Sequence, residues 1–341
     1  MAAYIGRSNG STMIVVTGAS GMLGSQVVAH LAKAQPNTKI QAWYRSESSK
    51  ACALQSWKAQ GASPENVKWI QINLLDANAV EKALVGATHV VHCAALVSFR
   101  AKDKDKMLKD NPAMSENVAA GALKHGVKNL VHISSIATLS SNNEVVCEED
   151  SDQEEGLNTY GRSKLYSEQT ILKHGAKGLP CWILNPSVIL GAPLWPDGSS
   201  KIIHTLKKGL PFYSPGATGW VDVRDVADAA THLINTPGTG ERIILNGTNA
   251  TFQQAFAALA HALGVKAPSS AIAPWVLQIA WRVERLRERL FGHSPSLTKD
   301  SVKAACGTKK YSNKKALEHG LQFKSLEDTG AFIASLIRDR N

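Results

Sequence analysis

Met13-Ile-Val-Val-Thr17-Gly18-Ala19-Ser20-Gly21-Met22-Leu23-Gly24 is the stretch on which the fold turns. Met13 to Thr17 is a short β-branched run. Beyond Gly21 the spacing becomes helical, with Leu23, Val27, Val28 and Leu31 on one face. A strand, a tight turn and a helix follow directly. Glycines at positions 18, 21 and 24 form a G-x-x-G-x-x-G turn between them. Glycine permits a sharp turn and a close backbone approach to a pyrophosphate, which the positive end of the following helix stabilises.

Working outward, similar apolar runs recur at residues 39–44, 67–72, 88–93, 129–134 and 181–184, with helical segments between most of them. Strands alternating with helices predict an α/β fold, a Rossmann-type doubly wound parallel sheet covered on both faces. After residue 187 the pattern is interrupted by Gly191, Pro193, Pro196, Gly198, Pro211, Pro215 and Gly216. We therefore expect a nucleotide-binding domain over residues 13–186, with returns near 221–248. A smaller C-terminal substrate lobe is expected from 187–220 and 249–341.

In dinucleotide folds, an acidic residue about 20 positions past the turn accepts from the adenosine ribose, whereas an Arg accommodates a 2′-phosphate. The residue 21 positions after Gly24 is Arg45, in Trp43-Tyr44-Arg45-Ser46-Glu47. This favours NADP, with NAD the alternative if Glu47 turns back toward the ribose. Tyr160-Gly-Arg-Ser-Lys164 sets a phenol and an ammonium four residues apart, on one helical face. Lys164 and an oxidised nicotinamide would both favour the phenolate, making Tyr160 a candidate acid/base. Upstream, Val131-His-Ile-Ser134-Ser135 is an apolar strand ending in hydroxyls, and ligands bind at the C-terminal ends of parallel strands. The preceding strand ends in His92-Cys93-Ala94-Ala95-Leu96, whose small residues let a flat cofactor lie close.

These motifs resemble the extended short-chain dehydrogenase/reductases, the NAD-dependent epimerase/dehydratase superfamily, from Met13 to at least Asn246. The resemblance rests on Gly18/Gly21/Gly24, Asn73-Leu74, Ala94-Ala95, Asn111-x-x-x-Ser115-x-Asn117, Ser134-Ser135, Tyr160/Lys164, Asn185-Pro186 and Val221-Asp-Val-Arg-Asp-Val-Ala227. It implies that Ser135 polarises the substrate oxygen, Tyr160 transfers the proton, Lys164 holds the nicotinamide ribose, and Asn111 supports the site from behind. It implies cofactor contacts from Gly18, Ser20, Gly21, Met22, Leu23, Gly24, Arg45, Asn73, Leu74, Ala94, Ala95, Leu96, Ser134, Pro186 and Ser187. Ile136-Ala137 stands where the family's dehydratases carry an Asp-Glu pair. Asn185-Pro-Ser-Val188-Ile-Leu-Gly191-Ala192 lacks the diphosphate-binding Asn of the sugar-nucleotide epimerases. The latter segment looks more like dihydroflavonol and cinnamoyl-CoA reductases, which reduce carbonyls with NADPH.

Composition bounds the remaining classes. The chain has 341 residues, 44% apolar and 19% charged, enough to bury a core without a disulfide or metal staple. Its five cysteines are scattered with no metal-ligand spacing, which together with the lack of an apolar signal core predicts a cytoplasmic protein without a bound metal. The net charge is +10. Residues 265–341 hold 14 Lys/Arg against 7 Asp/Glu, so +7 of it is local, and no nucleic-acid module accompanies it. No stretch is apolar enough to span a membrane. On the basic amphipathic segment 274–291, a stripe of Val276, Ile279, Val283, Leu286 and Leu290 is expected to pack against the second lobe, with attachment to a membrane surface the alternative. His92, His132 and Cys93 are expected in the core. Val97, Ser98, Phe99, Ser187, Trp195, Tyr213 and Trp220 are candidates for the wall around an apolar or ring-shaped substrate.

The expected activity is NADP(H)-dependent hydride transfer between nicotinamide and a carbonyl or secondary alcohol. The alternatives are an NAD(P)-dependent sugar epimerase and a catalytically silent nucleotide-binding regulator. The family resemblance also implies a homodimer through helices of the main domain.

Overall fold

In a computed structural model, described over residues 12–98, 101–150, 154–191, 194–195, 199–291 and 297–338, Met13–Thr17 is strand β1 and Met22–Ala34 is helix α1. Next come β2 (Lys39–Tyr44), α2 (Glu47–Ala59), β3 (Val67–Gln71), α3 (Ala77–Ala83), β4 (His89–His92), α4 (Lys104–Lys124), β5 (Asn129–Ile133), β6 (Val145–Val146) and α5 (Thr159–Gly175). Then follow β7 (Cys181–Pro186), β8 (Val188–Leu190), α6 (Ser200–Lys207), β9 (Phe212–Tyr213), β10 (Ala217–Asp222) and α7 (Val223–Leu233). The elements used below end with β11 (Arg242–Leu245), β12 (Thr248–Thr251), α8 (Phe252–Leu263), α9 (Pro274–Phe291) and α10 (Lys299–Cys306).

Seven strands form one sheet in the order β3-β2-β1-β4-β5-β7-β11, and every pairing in it is parallel. The strand order reverses between β1 and β4, which opens a crevice at their C-terminal ends. Side chains alternate across a strand, and here both faces are covered. Ile14, Val16, Val131, Ile133, Trp182 and Leu184 point into the layer shared with α1 and α7. Val15, Leu130 and Ile183 point into the layer under α4 and α5. That is why these strands read as unbroken apolar runs.

Two imidazoles interrupt that core. His92 bridges Thr17 Oγ1 (2.7 Å) and Ser115 Oγ (3.2 Å), and its ring lies 5.1 Å from that of His132. Both are fully buried, as expected from their strands. Burial, helped by the nearby Lys164 ammonium, pushes His92 down to about 3 and holds His132 well below the usual histidine range.

The chain leaves the main sheet after β7 and builds a three-stranded sheet, β8-β10-β12, in which β10 runs parallel to β8 and antiparallel to β12. It returns to the main sheet as β11. Trp220 on β10 is 1% exposed, packs its ring on Phe252 and Phe256, and donates its indole N–H to Ala250 O (3.1 Å). It is a core residue of this smaller unit rather than substrate wall. Tyr213 packs against the same cluster. α9 also differs from expectation: Leu277 and Trp281 face inward onto Val302 of α10, while Ile279, Val283, Leu286 and Leu290 are exposed. The stripe predicted to pack inward points outward, because the helix is held through the two bulky residues on its opposite side.

The buried rings set an acid limit on stability. In the unfolded chain both protonate near pH 6.5, whereas in the folded chain they stay neutral, so the unfolded state takes up more protons as pH falls. With both rings neutral no stability is lost above pH 6.5; below it stability falls with pH, for His92 down to about 3 at up to about 1.4 kcal/mol per pH unit, and His132 acts in the same direction. Thermal unfolding should therefore show Tm falling from pH 6.5 to 5, above the range where carboxylates titrate, with a shallower fall in His92→Gln. A pH-independent Tm over that interval would contradict the burial.

Candidate active site

Gly18 has φ +64°, a left-handed conformation that a side chain rarely adopts, and a Cβ there would lie 2.8 Å from the backbone of Ala94. The turn thus presses directly onto the end of β4. A Cβ on Gly24 would fall 2.2 Å from Gly18 O, so α1 too can approach only because that position is bare. Gly21 caps α1 with no side-chain bond, which leaves first-turn amides facing the crevice. The result is a cleft of about 630 Å³ walled by Gly18, Ser20, Gly21, Arg45, Asn73, Leu74, Ala94, Ala95 and Leu96, among others. Its size and bare-backbone floor suit a dinucleotide.

Several of the residues expected to contact the cofactor contribute nothing to this cleft's wall. Met22 contacts Ser200 through sulfur, and Leu23 packs into the layer under α1. Ser134, Pro186 and Ser187 are buried at the strand ends, and none of the five lines the cleft. Trp195, expected near substrate, instead donates its indole N–H to Ser20 O (2.9 Å) and covers the Gly-rich turn. At the far rim Arg45 is exposed, while Glu47 is taken by the Tyr44 hydroxyl and by Lys50 (3.3 Å) and is absent from the cleft wall.

Ser135, Tyr160 and Lys164 converge at the end of β5. Asn158 caps α5 by accepting from Gly161 N (2.8 Å). A Cβ on Gly161 would lie 2.2 Å from Ala137 O, so this glycine lets α5 press onto the short turn over residues 136–138. That contact brings the Tyr160 phenol into hydrogen-bonding range of the Ser135 hydroxyl. Burial raises the phenol above its ordinary value, and the Ser135 bond partly opposes the rise. The Lys164 Nζ donates to Ile133 O (2.7 Å) and lies 3.4 Å from His132 Nε2. Burial brings the Lys164 ammonium down to about 8, against the supporting charge of Glu168. Cys93, on the cleft floor, is pushed up to about 12 by burial, so it remains a protonated thiol.

Glu168 was not anticipated from the sequence. Its carboxylate is fully buried and accepts from Ser134 Oγ, Thr138 Oγ1 (3.0 Å), Asn185 Nδ2 (2.7 Å) and Arg242 Nε (2.8 Å). Tyr160, Lys164 and Glu168 are successive four-residue steps on one face of α5, which is the signal that could have found it. Asn111 joins the loop after β4 to α5: its amide exchanges bonds with Leu96 N (2.7 Å) and Leu96 O (3.0 Å) and donates to Ser163 Oγ (3.0 Å). It is a brace rather than a group open to substrate. Asn117 similarly holds Leu74 O (2.8 Å).

Tyr160 opens onto a second cavity of about 190 Å³, with Ser98, Met107, Trp281, Arg285, Leu297 and Lys299 in its wall. Of the expected substrate residues only Ser98 lies here; Val97 is exposed, and Phe99 lies outside the described residues.

Comparison with known proteins agrees with this geometry. Residues 14–246 match the model of the NAD dependent epimerase/dehydratase family. A putative dihydroflavonol 4-reductase of Synechocystis sp. is 30% identical over 325 residues, 92% of this chain and 90% of that protein. Sterol demethylase protein B of Methylococcus capsulatus is 29% identical over 286 residues, 81% of this chain and 83% of that one. The structure of a Thermotoga maritima UDP-glucose 4-epimerase superposes with a TM-score of 0.75 at 19% identity, covering 96% of this chain and 99% of that one, which speaks for the fold alone. With the glycine turn, the parallel strand order and the family match in agreement, the chain belongs to the NAD-dependent epimerase/dehydratase family of NAD(P)-dependent enzymes.

Proposed function

We propose that this chain is an NADP(H)-dependent oxidoreductase that moves hydride between nicotinamide and a carbonyl or secondary alcohol, with Ser135, Tyr160 and Lys164 as its working groups. The observation that carries the reading is the gathering at the end of β5 of Ser135, whose hydroxyl draws the Tyr160 phenol down, and of the buried Lys164, with Tyr160 itself opening onto a cavity. The glycine turn, Asn73, Leu74 and Ala94 would hold the dinucleotide, and Lys164 would hold its nicotinamide ribose. A bound nicotinamide supplies the hydride.

In reduction, Ser135 orients the substrate oxygen by hydrogen bonding, and the Tyr160 hydroxyl gives that oxygen its proton, leaving a phenolate that solvent reprotonates. Burial keeps the phenol protonated at neutral pH, which suits this direction. Val188 stands where the sugar-nucleotide epimerases carry their diphosphate-binding Asn, and the nearby Asn185 spends its amide N–H groups on Ser135 O (3.1 Å), Thr138 Oγ1 (3.0 Å) and Glu168. It is therefore committed inside the protein, which favours net reduction over sugar-nucleotide epimerisation. The relatives named for a dihydroflavonol and for a sterol support a ring-bearing, largely apolar substrate.

Screening NADPH oxidation at 340 nm against ketones, aldehydes and sugar nucleotides tests the reaction; Tyr160→Phe should lower kcat by about 10²–10⁴-fold while leaving NADPH affinity nearly unchanged. Epimer interconversion without net NADPH consumption would assign the epimerase instead, and an unaffected biological activity in Tyr160→Phe would assign the silent regulator. For cofactor choice, Arg45→Ala should weaken NADPH binding by about 10–100-fold and NADH binding little, because only the 2′-phosphate forms a charged hydrogen bond with the guanidinium. Equal losses in calorimetry would defeat the NADP assignment.

A further inference from the structure

We propose that α9 is a docking element for anionic phospholipid surfaces, which it meets with its outward apolar stripe. Trp275 (66% exposed), Ile279, Val283, Leu286 and Leu290 (67% exposed) recur at steps of three and four residues and so form one continuous line along the helix. Isolated apolar side chains on a surface need no explanation, but five aligned on one helix do.

The charges on the helix are segregated around that line. By helical spacing, Arg282 and Arg289 border the stripe on one side and Arg287 on the other, all exposed, with Arg282 folded over the Trp281 ring (4.8 Å). Glu284 and Glu288 lie on the opposite side, with Leu277 and Trp281, toward the body of the protein. Glu284 reaches across to Arg287 (3.1 Å). The pattern is apolar at the centre, cationic at the edges and acidic only where the helix faces protein. It matches a helix lying flat in a membrane interface, with its apolar side among the acyl chains and its arginines at lipid phosphates. The C-terminal quarter that contains α9 carries +7 of the chain's +10 charge, +2 of it on α9 itself, and so adds attraction of the same sign. No helix among the described residues is long and apolar enough to cross a membrane, so the contact is peripheral.

A second copy of this chain fits the stripe less well, because two such stripes face to face would set arginine borders against each other. The mounting of the helix suits surface attachment too. Among the described residues a small cluster of Leu277, Trp281 and Val302, with Ile272, Leu297 and Cys306 packed against it, ties the helix to the body, and its inner edge, through Trp281 and Arg285, walls the cavity onto which Tyr160 opens. Lying on lipid, α9 brings that cavity to the headgroup layer, where amphiphilic molecules partition. The docking stands independently of the proposed reaction.

Flotation of the full chain with vesicles of phosphatidylcholine mixed with phosphatidylglycerol, against pure phosphatidylcholine, tests it. Binding should be at least about tenfold stronger to the anionic vesicles at low salt, since each arginine near the surface is worth about fivefold, and should weaken at high salt. The Trp275 contribution to fluorescence should shift blue on binding, a change absent from Trp275→Phe. Ile279→Glu with Leu286→Glu should abolish binding while keeping the parent's Tm, and Tyr160→Phe should bind like the parent, which separates this proposal from the reaction. The proposal is overturned if anionic vesicles float no protein, if the double glutamate variant binds unchanged, or if that variant instead converts a solution dimer to monomer.

Discussion

Burying the Glu168 carboxylate costs several kcal/mol of lost hydration, a cost offset only if its charge is met by well-placed partners. Here they come from four separate parts of the chain: Ser134 at the end of β5, Thr138 in the turn that carries Ser135, Asn185 on β7 and Arg242 on β11. One ionised side chain on α5 therefore fixes the mutual positions of the strand ends from which the candidate site is built. The glycines act in the complementary sense. Gly161 permits α5 to come close enough for this meeting, as Gly18 and Gly24 permit the first crossover to close on β4.

The electrostatics beneath the cleft follow from selective neutralisation. His92, His132 and Cys93 lie close to Lys164, and burial keeps all three uncharged near neutral pH. What remains is an ammonium weakened to about 8 and the carboxylate one turn away that supports it. The positive end of this pair lies toward Ile133 at the strand terminus. A ribose hydroxyl at that end of the cleft would meet a fixed donor in a medium where such bonds are strong. Around the Tyr160 phenol it is the Ser135 hydroxyl that opposes the rise caused by burial.

Much of this was legible in the sequence for a physical reason: a strand buried on both faces must be apolar throughout, and a turn that touches other backbone must be glycine. Residues 13–24, the strand runs and the Ser135/Tyr160/Lys164 set carry those constraints openly. Glu168 was hidden because a carboxylate in a helix reads as a solvated face, and only Arg242, 74 residues away, makes it a core residue. Trp195 and Trp220 look alike in sequence, yet one covers the Gly-rich turn and the other fills the second sheet, a difference set by long-range packing. The outward turn of α9 was misread because its outer line of medium-sized residues is longer than the inner line of Leu277 and Trp281, and periodicity weighs number above bulk.

The path of the chain between β7 and β11 has a mechanical consequence. Ser187 alone separates β7 from β8, and Asn246 and Gly247 alone separate β11 from β12, so the small sheet is joined to the main one by short connections, the first of them next to Asn185 and its bonds to Ser135 and Glu168. The two sheets share no slack linker there. Any hinge-like rocking of the outer unit over a bound molecule would tug on the Asn185 amide, and through it on the hydroxyl that faces the tyrosine, so that closure and the alignment of the reacting groups become one coupled motion.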